Sequence, residues 1–297
     1  MKMLREHGRY SYSSITQRPG FAWPQGDGLA VYIGLNLEHF AFSEGLGGEL
    51  VPSTGLAPDV LNYAWRDYGN RVGAWRMLAL FESLDLPVSL LVNTSIYDYC
   101  PDVVTAYRDS GAEIVAHGYT NSEKQGDMTE SEEAAMIAEV SRRLTDAEGM
   151  APRGWLGPWI SESAHTPDLL HEGGYTYFLD WCHDDQPVWM RTRGGHILSV
   201  PYPQEVNDIP AILVRRTSAE AFADMIIDNF DEMLDQSTKQ PLVMGIALHS
   251  YIVGQPFRLR HLRRALGHIA QHRERIWLTT TGQVAQRAID CLSVPDR

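Results

Sequence analysis

The sequence predicts an α/β fold: a distorted (β/α) barrel of about seven strands in one domain over residues 1–297. Three observations carry that expectation. Short apolar runs alternate with longer amphipathic ones along most of the chain. The short runs are apolar at nearly every position, as parallel strands covered by helices must be. The first of them is followed by Leu37-Glu38-His39. A doubly wound dinucleotide-binding sheet would place a glycine-rich phosphate loop there.

Each element has its own signal. Leu29-Ala30-Val31-Tyr32-Ile33-Gly34-Leu35-Asn36 is a buried strand. A Gly- and Pro-rich loop over 43–70, carrying Gly47-Gly48, Tyr63, Trp65 and Tyr68, leads to a helix over 71–85. A strand over 87–93 follows, then a helix over 101–110 with Pro101 in its first turn, then a strand over 113–118. Thr129-Glu130-Ser131-Glu132 is a capping-box pattern and opens a helix over 129–148. Strands are expected at 153–157, 175–181, 196–202, 242–249 and 276–280, with helices at 166–172, 219–235, 258–273 and 281–291. Residues 1–28 form an N-terminal extension packed on the barrel.

Composition narrows the function. The net charge is 25 − 38 = −13, a poor match to nucleic acid or an anionic membrane. No apolar run reaches the ~18 residues of a membrane span. The first residues, Met1 to His7, show no apolar signal-peptide core. Three scattered cysteines, Cys100, Cys182 and Cys291, make neither a disulfide framework nor a zinc pattern, and the expectation is a reducing cytoplasm.

In a parallel barrel the chemistry lies at the C-terminal strand ends. Those ends carry Asn36, Glu38 and His39; Asn93; His117 and Asn121; Arg153 and Trp155; Asp180, Trp181, Asp184 and Asp185; Tyr202, Asn207 and Asp208; and His249. Imidazoles and carboxylates gathered at one rim suit proton transfer or metal binding. For Asp184-Asp185 a turn-capping role is an equal reading. Arg258, Arg260, Arg263 and Arg264, with His261, His268 and His272, make a basic helix face, read as solvated or ion-paired within an acidic protein.

Several segments, in order, resemble one family. They are Arg9-Tyr10, Arg18-Pro19, Trp23-Pro24, Leu35-Asn36-Leu37-Glu38, His117-Gly118, Gly154-Trp155-Leu156-Gly157-Pro158, Asp180-Trp181, Asp184-Asp185-Gln186-Pro187, Val200-Pro201-Tyr202, Asn207-Asp208, and His249 with Gly254-Gln255-Pro256 and Arg258. Together they look like the polysaccharide deacetylase superfamily, in its branch of allantoinases and related cyclic-amide hydrolases.

The resemblance implies a barrel of about seven β/α units, a homo-oligomer and a small-molecule substrate. In the metal-dependent members it implies a zinc-like ion on a carboxylate and two histidines, here Glu38, His117 and the position of Asn121. Two positions depart from that pattern. Asn36 occupies the base position and cannot take a proton, and Asn121 replaces the second histidine with a weak zinc ligand.

The expected activity is hydrolysis of a non-peptide C–N bond in a small cyclic amide, imide or ureide. Glu38, His249 and Asp185 are the expected catalytic residues. Asn36, Arg153, Trp155, Trp181, Asp184 and Tyr202 are expected to hold substrate. The alternatives are a metal-dependent polysaccharide or chitooligosaccharide N-deacetylase, and an idle barrel that binds a small molecule.

Overall fold

The protein is described by a computed structural model over residues 6–24, 28–42, 47–52 and 58–295. The elements run β1 Leu29–Leu37, α1 Val60–Tyr68, α2 Ala74–Ser83, β2 Ser89–Val92, α3 Ile96–Tyr99, α4 Pro101–Asp109 and β3 Glu113–Ala116. They continue with α5 Glu130–Glu148, β4 Gly154–Trp155, α6 Thr166–Glu172, β5 Tyr177–Phe178, β6 Val188–Thr192 and β7 Gly195–Ser199. The last are α7 Ala219–Gln236, β8 Leu242–His249, α8 Ser250–Val253, α9 Pro256–Ala270, β9 Trp277–Thr279 and α10 Thr281–Cys291.

One curled sheet holds all nine strands in the order β6-β7-β5-β4-β3-β2-β1-β8, with β9 also pairing β1. Every pairing is parallel except the β6–β7 hairpin. The barrel closes incompletely: among the described residues no ladder joins β6 to β8. The outer edge of β8 instead donates its Val243 and Ala247 amides to the carbonyls of Asp185 and Val206.

Side-chain alternation divides the core. On β1, Leu29, Val31, Ile33, Leu35 and Leu37 face the helical layer, while Ala30 and Tyr32 face the interior. The same interior face carries on through Gly34 and Asn36 to Glu38. On β8, Leu242, Met244, Ile246 and Leu248 face the helices, and Val243 and Ala247 face inward, so the alternation directs His249 inward as well. Truncating a buried helix-facing residue such as Leu35 would cost about 2–5 kcal/mol. The interior is tight: a Cβ at Gly245 would sit 2.5 Å from Tyr32 Oη, so only glycine passes there.

The capping box predicted at Thr129 and Glu132 forms in full, and Gly149 ends α5 in the left-handed conformation. Four elements depart from the sequence expectation: α1, β6 and the one-turn helices α3 and α8. The loop expected over 43–70 contains α1, whose first turn is capped when Asp59 accepts from the Asn62 amide. Ser53–Ala57 of that loop, and Gly45-Leu46, lie outside the described residues. β6 was also missed, because it is an edge strand made by its hairpin with β7 rather than by an apolar run.

The N-terminal segment lies along the sheet. Arg9 grips Asp168 with two bonds of 2.7 and 2.9 Å, and the Trp23 indole donates to the Leu242 carbonyl at 2.9 Å. On the basic face of α9, Arg264 meets Asp224 at 2.6 Å and His268 meets Asp231 at 2.7 Å, while Arg258 and Arg263 bond the Ile252 carbonyl and the Ser83 hydroxyl. No described helix is long and apolar enough to cross a membrane.

Candidate active site

The C-terminal ends of β1, β3 and β8 bring Glu38, His117 and His249 to one point. Asn36 and His249 are direct partners in the β1–β8 ladder, so the register fixes their common level. Glu38 is 4% exposed and His117 2%. Glu38 Oε1 accepts a bond from Asn121 Nδ2 at 2.6 Å. The same oxygen lies 3.6 Å from His117 Nε2 and 3.5 Å from His249 Nε2.

Each imidazole is aimed by its other nitrogen. His117 Nδ1 donates to the Leu156 carbonyl at 2.8 Å, which turns Nε2 toward Glu38. His249 Nδ1 meets Asp208 Oδ1 at 2.6 Å, and the His249 amide donates to Asp208 Oδ2 at 2.8 Å. Asn93 ties the rim together by donating to the His117 carbonyl and accepting from the His39 amide.

Charge follows geometry. Burial alone would raise the Glu38 carboxyl, but the charge and hydrogen bond of His249 outweigh it and hold it at about 2. Burial would lower His249, yet Asp208 and Glu38 on either side lift it to about 10. Burial pushes Asp208 up, against the pull of His249. At neutral pH the centre is an imidazolium held between two carboxylates.

A cavity of about 120 Å³ opens above this group. Asn36 lines it, donating to Tyr202 Oη at 2.9 Å, and Tyr202 is its aromatic wall on that side. Trp159 and Ile160 form another wall and both have positive φ, 65° and 55°. Bulky residues take that conformation only when their surroundings force it, a pattern concentrated at functional sites. Trp159 is fixed by its indole bond to the Asn121 carbonyl at 2.8 Å.

Five sequence candidates lie elsewhere. Asp184 is bound by the Arg18 guanidinium at 2.7 and 2.5 Å. Asp185 lends its carbonyl to β8 and does not line the cavity. Trp155 is fully buried under α5 and α6, with its indole on Gln125. Adjacent strand residues point to opposite faces, so its neighbour Leu156 lines the cavity instead. Trp181 packs on Tyr10 and His183 at a separate surface depression. Arg153 stands at the opposite end of β4 and bonds Gln286 at 2.6 Å.

Asp180 supports the wall from behind, accepting from the Gly157 amide at 2.6 Å. Burial and the neighbouring Glu162 push its carboxyl well above the usual carboxylate range. Trp159 and Tyr251 were missing from the sequence-derived site, whereas Asp208 was expected at a strand end beside the pocket with no role assigned to it. Asp208 alone had a signal, the Asn207-Asp208 pair among the family-like segments.

The donor set bears on a metal. Asn121 presents its NH₂ to Glu38, and His249 is committed to Asp208. Two atoms are left with no partner, Glu38 Oε2 and His117 Nε2. Among the described residues no three His, Cys, Asp or Glu side chains converge to hold an ion. Two free donors are one short of the three that a catalytic zinc takes from protein. The residues as seated do not fit such an ion, and no step below passes through one.

The polysaccharide deacetylase family profile matches residues 64–178. The whole fold superimposes on the Puue allantoinase structure with a TM-score of 0.84 and 26% identity, covering 95% of this chain and 99% of that one. Residues 64–178 thus match the polysaccharide deacetylase family, and the whole chain is similar in fold to solved structures related to it. A structure of a polysaccharide deacetylase from Pseudomonas aeruginosa PAO1 gives a TM-score of 0.83 at 25% identity, over 94% and 98% of the two chains. A protein of Schizosaccharomyces pombe named as a polysaccharide deacetylase is 28% identical over 239 residues, 74% of this chain and 73% of that protein.

Proposed function

We propose that this protein is a hydrolase that opens the C–N bond of a small cyclic amide, imide or ureide by direct attack of water on the carbonyl. The observation that carries this reading is the Glu38–His249–Asp208 array at the floor of a small, walled cavity. It supplies an ionised base and a protonated acid at neutral pH, and it needs no ion.

Water bridging Glu38 Oε2 and His117 Nε2, the two unpartnered acceptors, presents its lone pair to a carbonyl above. Glu38 takes a proton as the oxygen attacks. His249 Nε2 gives its proton to the departing nitrogen, and Asp208 stabilises the charge on the ring beforehand. Glu38 then returns its proton to His249 across the 3.5 Å contact, which resets the pair. Positioned acid–base help of this kind is worth about 10²–10⁴-fold at each residue. The walls from Trp159 and Tyr202 exclude bulk water, which strengthens every polar contact inside.

The fold similarity to an allantoinase supports the cyclic substrate. The Pseudomonas aeruginosa and Schizosaccharomyces pombe relatives support the second reading, a polysaccharide deacetylase. A panel of hydantoins, imides, ureides and N-acetylated chitooligosaccharides, read by product mass before and after chelation, decides between them. Ring opening that survives chelation supports the proposal. Sugar deacetylation that is lost on chelation and recovered with zinc overturns it. No turnover of any member favours an idle, ligand-binding barrel.

A further inference from the structure

The reaction above leaves one charge unattended. When water adds, the carbonyl oxygen becomes an oxyanion, and neither Glu38 nor Asp208 can receive it. We infer that the Tyr251 hydroxyl is the donor that receives this oxyanion, a catalytic role that rests on the amide-hydrolase reading.

Tyr251 lies two residues beyond His249, at the start of α8, and lines the same cavity. It is 1% exposed; its Oη completes no hydrogen bond of good geometry and lies within reach of the Glu38 carboxylate. Burying a hydroxyl without a well-made bond is costly, so a donor left open toward a cavity points to something that binds there. Its ring is fixed by three edge-on neighbours. The Trp65 centroid lies at 4.9 Å, His249 at 5.8 Å and Phe40 at 6.0 Å. Donors that are fixed before the reaction are the ones that stabilise developing charge most.

The electrostatics agree. Burial, with Glu38 and Asp208 nearby, pushes the phenol well above its ordinary value, so it keeps its proton and can only donate to an anion. The Arg66 guanidinium is buried, stacks 4.6 Å over Phe40, and has no partner at Nε. It places a positive charge beside the phenol and favours negative charge on the far side of the O–H. The loop also makes room: Gly48 passes so close that a Cβ there would lie 3.2 Å from Tyr251 Oη. The other hydroxyl on the cavity wall, Tyr202 Oη, accepts from Asn36 Nδ2 at 2.9 Å and keeps its own O–H to donate, which makes Y202F the companion variant in the test.

The electrons balance as follows. The water oxygen bonds to the carbonyl carbon while Glu38 takes the water proton. The C=O π pair moves onto oxygen, where the Tyr251 O–H donates to it without transferring its proton. The pair returns to re-form C=O, and the C–N pair leaves and takes the His249 proton.

The test is Y251F beside Y202F, measured on whichever panel compound the wild-type chain hydrolyses, with folding followed by circular dichroism. Y251F keeps the packed ring and removes only the donor. Its kcat is expected to fall about 10²–10³-fold, with KM changed less than about threefold, the signature of a bond made in the transition state. 3-Fluorotyrosine at position 251 keeps the O–H and is expected to hold kcat within about tenfold of wild type, which separates lost chemistry from lost folding. A near-normal kcat in Y251F, a change confined to KM, or a large loss in Y202F instead overturns the role of Tyr251 and leaves the hydrolase reading standing. Wild-type protein that hydrolyses no panel compound overturns both.

Discussion

Replacing Glu38 by glutamine tests the array most directly. The two side chains have nearly the same shape, so the cavity and its walls survive. What changes is charge. The carboxylate sits 2.6 Å from Asn121 Nδ2 and 3.5 Å from His249 Nε2, and both contacts favour an anion. The amide cannot take a proton from water, so kcat is expected to fall more than about a hundredfold, or about 2.7 kcal/mol of transition-state stabilisation. Losing a charged hydrogen bond costs about 1.5–3 kcal/mol, an expected loss of several degrees in Tm but not of the fold. A second readout comes from His249. One of the two carboxylates that lift it to about 10 is removed, so its pKa must drop in the variant. The assay is single-substrate turnover with thermal melts and NMR titration of the imidazole. E38Q that keeps more than a tenth of the wild-type kcat, or an unmoved His249, refutes the reasoning.

Other outcomes follow from the same geometry. D208N leaves one of the two His249 N–H donors without an acceptor, and kcat should drop about a hundredfold or more while the alkaline limb of the pH profile moves to lower pH. In the wild type, rates should hold through the neutral range and fall as pH rises through about 10, where His249 loses its proton. The linked stability has the same sign. The raised pKa of His249 contributes fully below its unfolded value near 6.5, and that contribution is lost as pH rises through about 10, which melts of wild type and H249Q across that window would show. R153A should hydrolyse within about twofold of wild type, because Arg153 bonds Gln286 away from the cavity. A large loss there would restore the family-derived expectation for that arginine.

The sequence by itself determined the parallel α/β architecture, nearly every helix, and the strand ends carrying Glu38, His117 and His249. These are local properties: an apolar run, a capping box and a polar residue just past a strand need only their neighbours to be read. Which polar residues meet was decided by the tertiary structure. Trp155 and Leu156 differ by one position, and the pleat alone sends the first into the core and the second to the cavity. Asp184 resembles a site carboxylate until Arg18, 166 residues away in sequence, takes it up. Asp208 and Tyr251 reach the centre because irregular chain brings the first against the outer edge of β8 and a short helix turns the second back over it. The −13 charge of the sequence argues against nucleic acid as a partner, but it could not show that two of its carboxylates would hold a histidine protonated between them. That depends on burial and ångström-scale distances, which belong to the fold and not to the order of the residues.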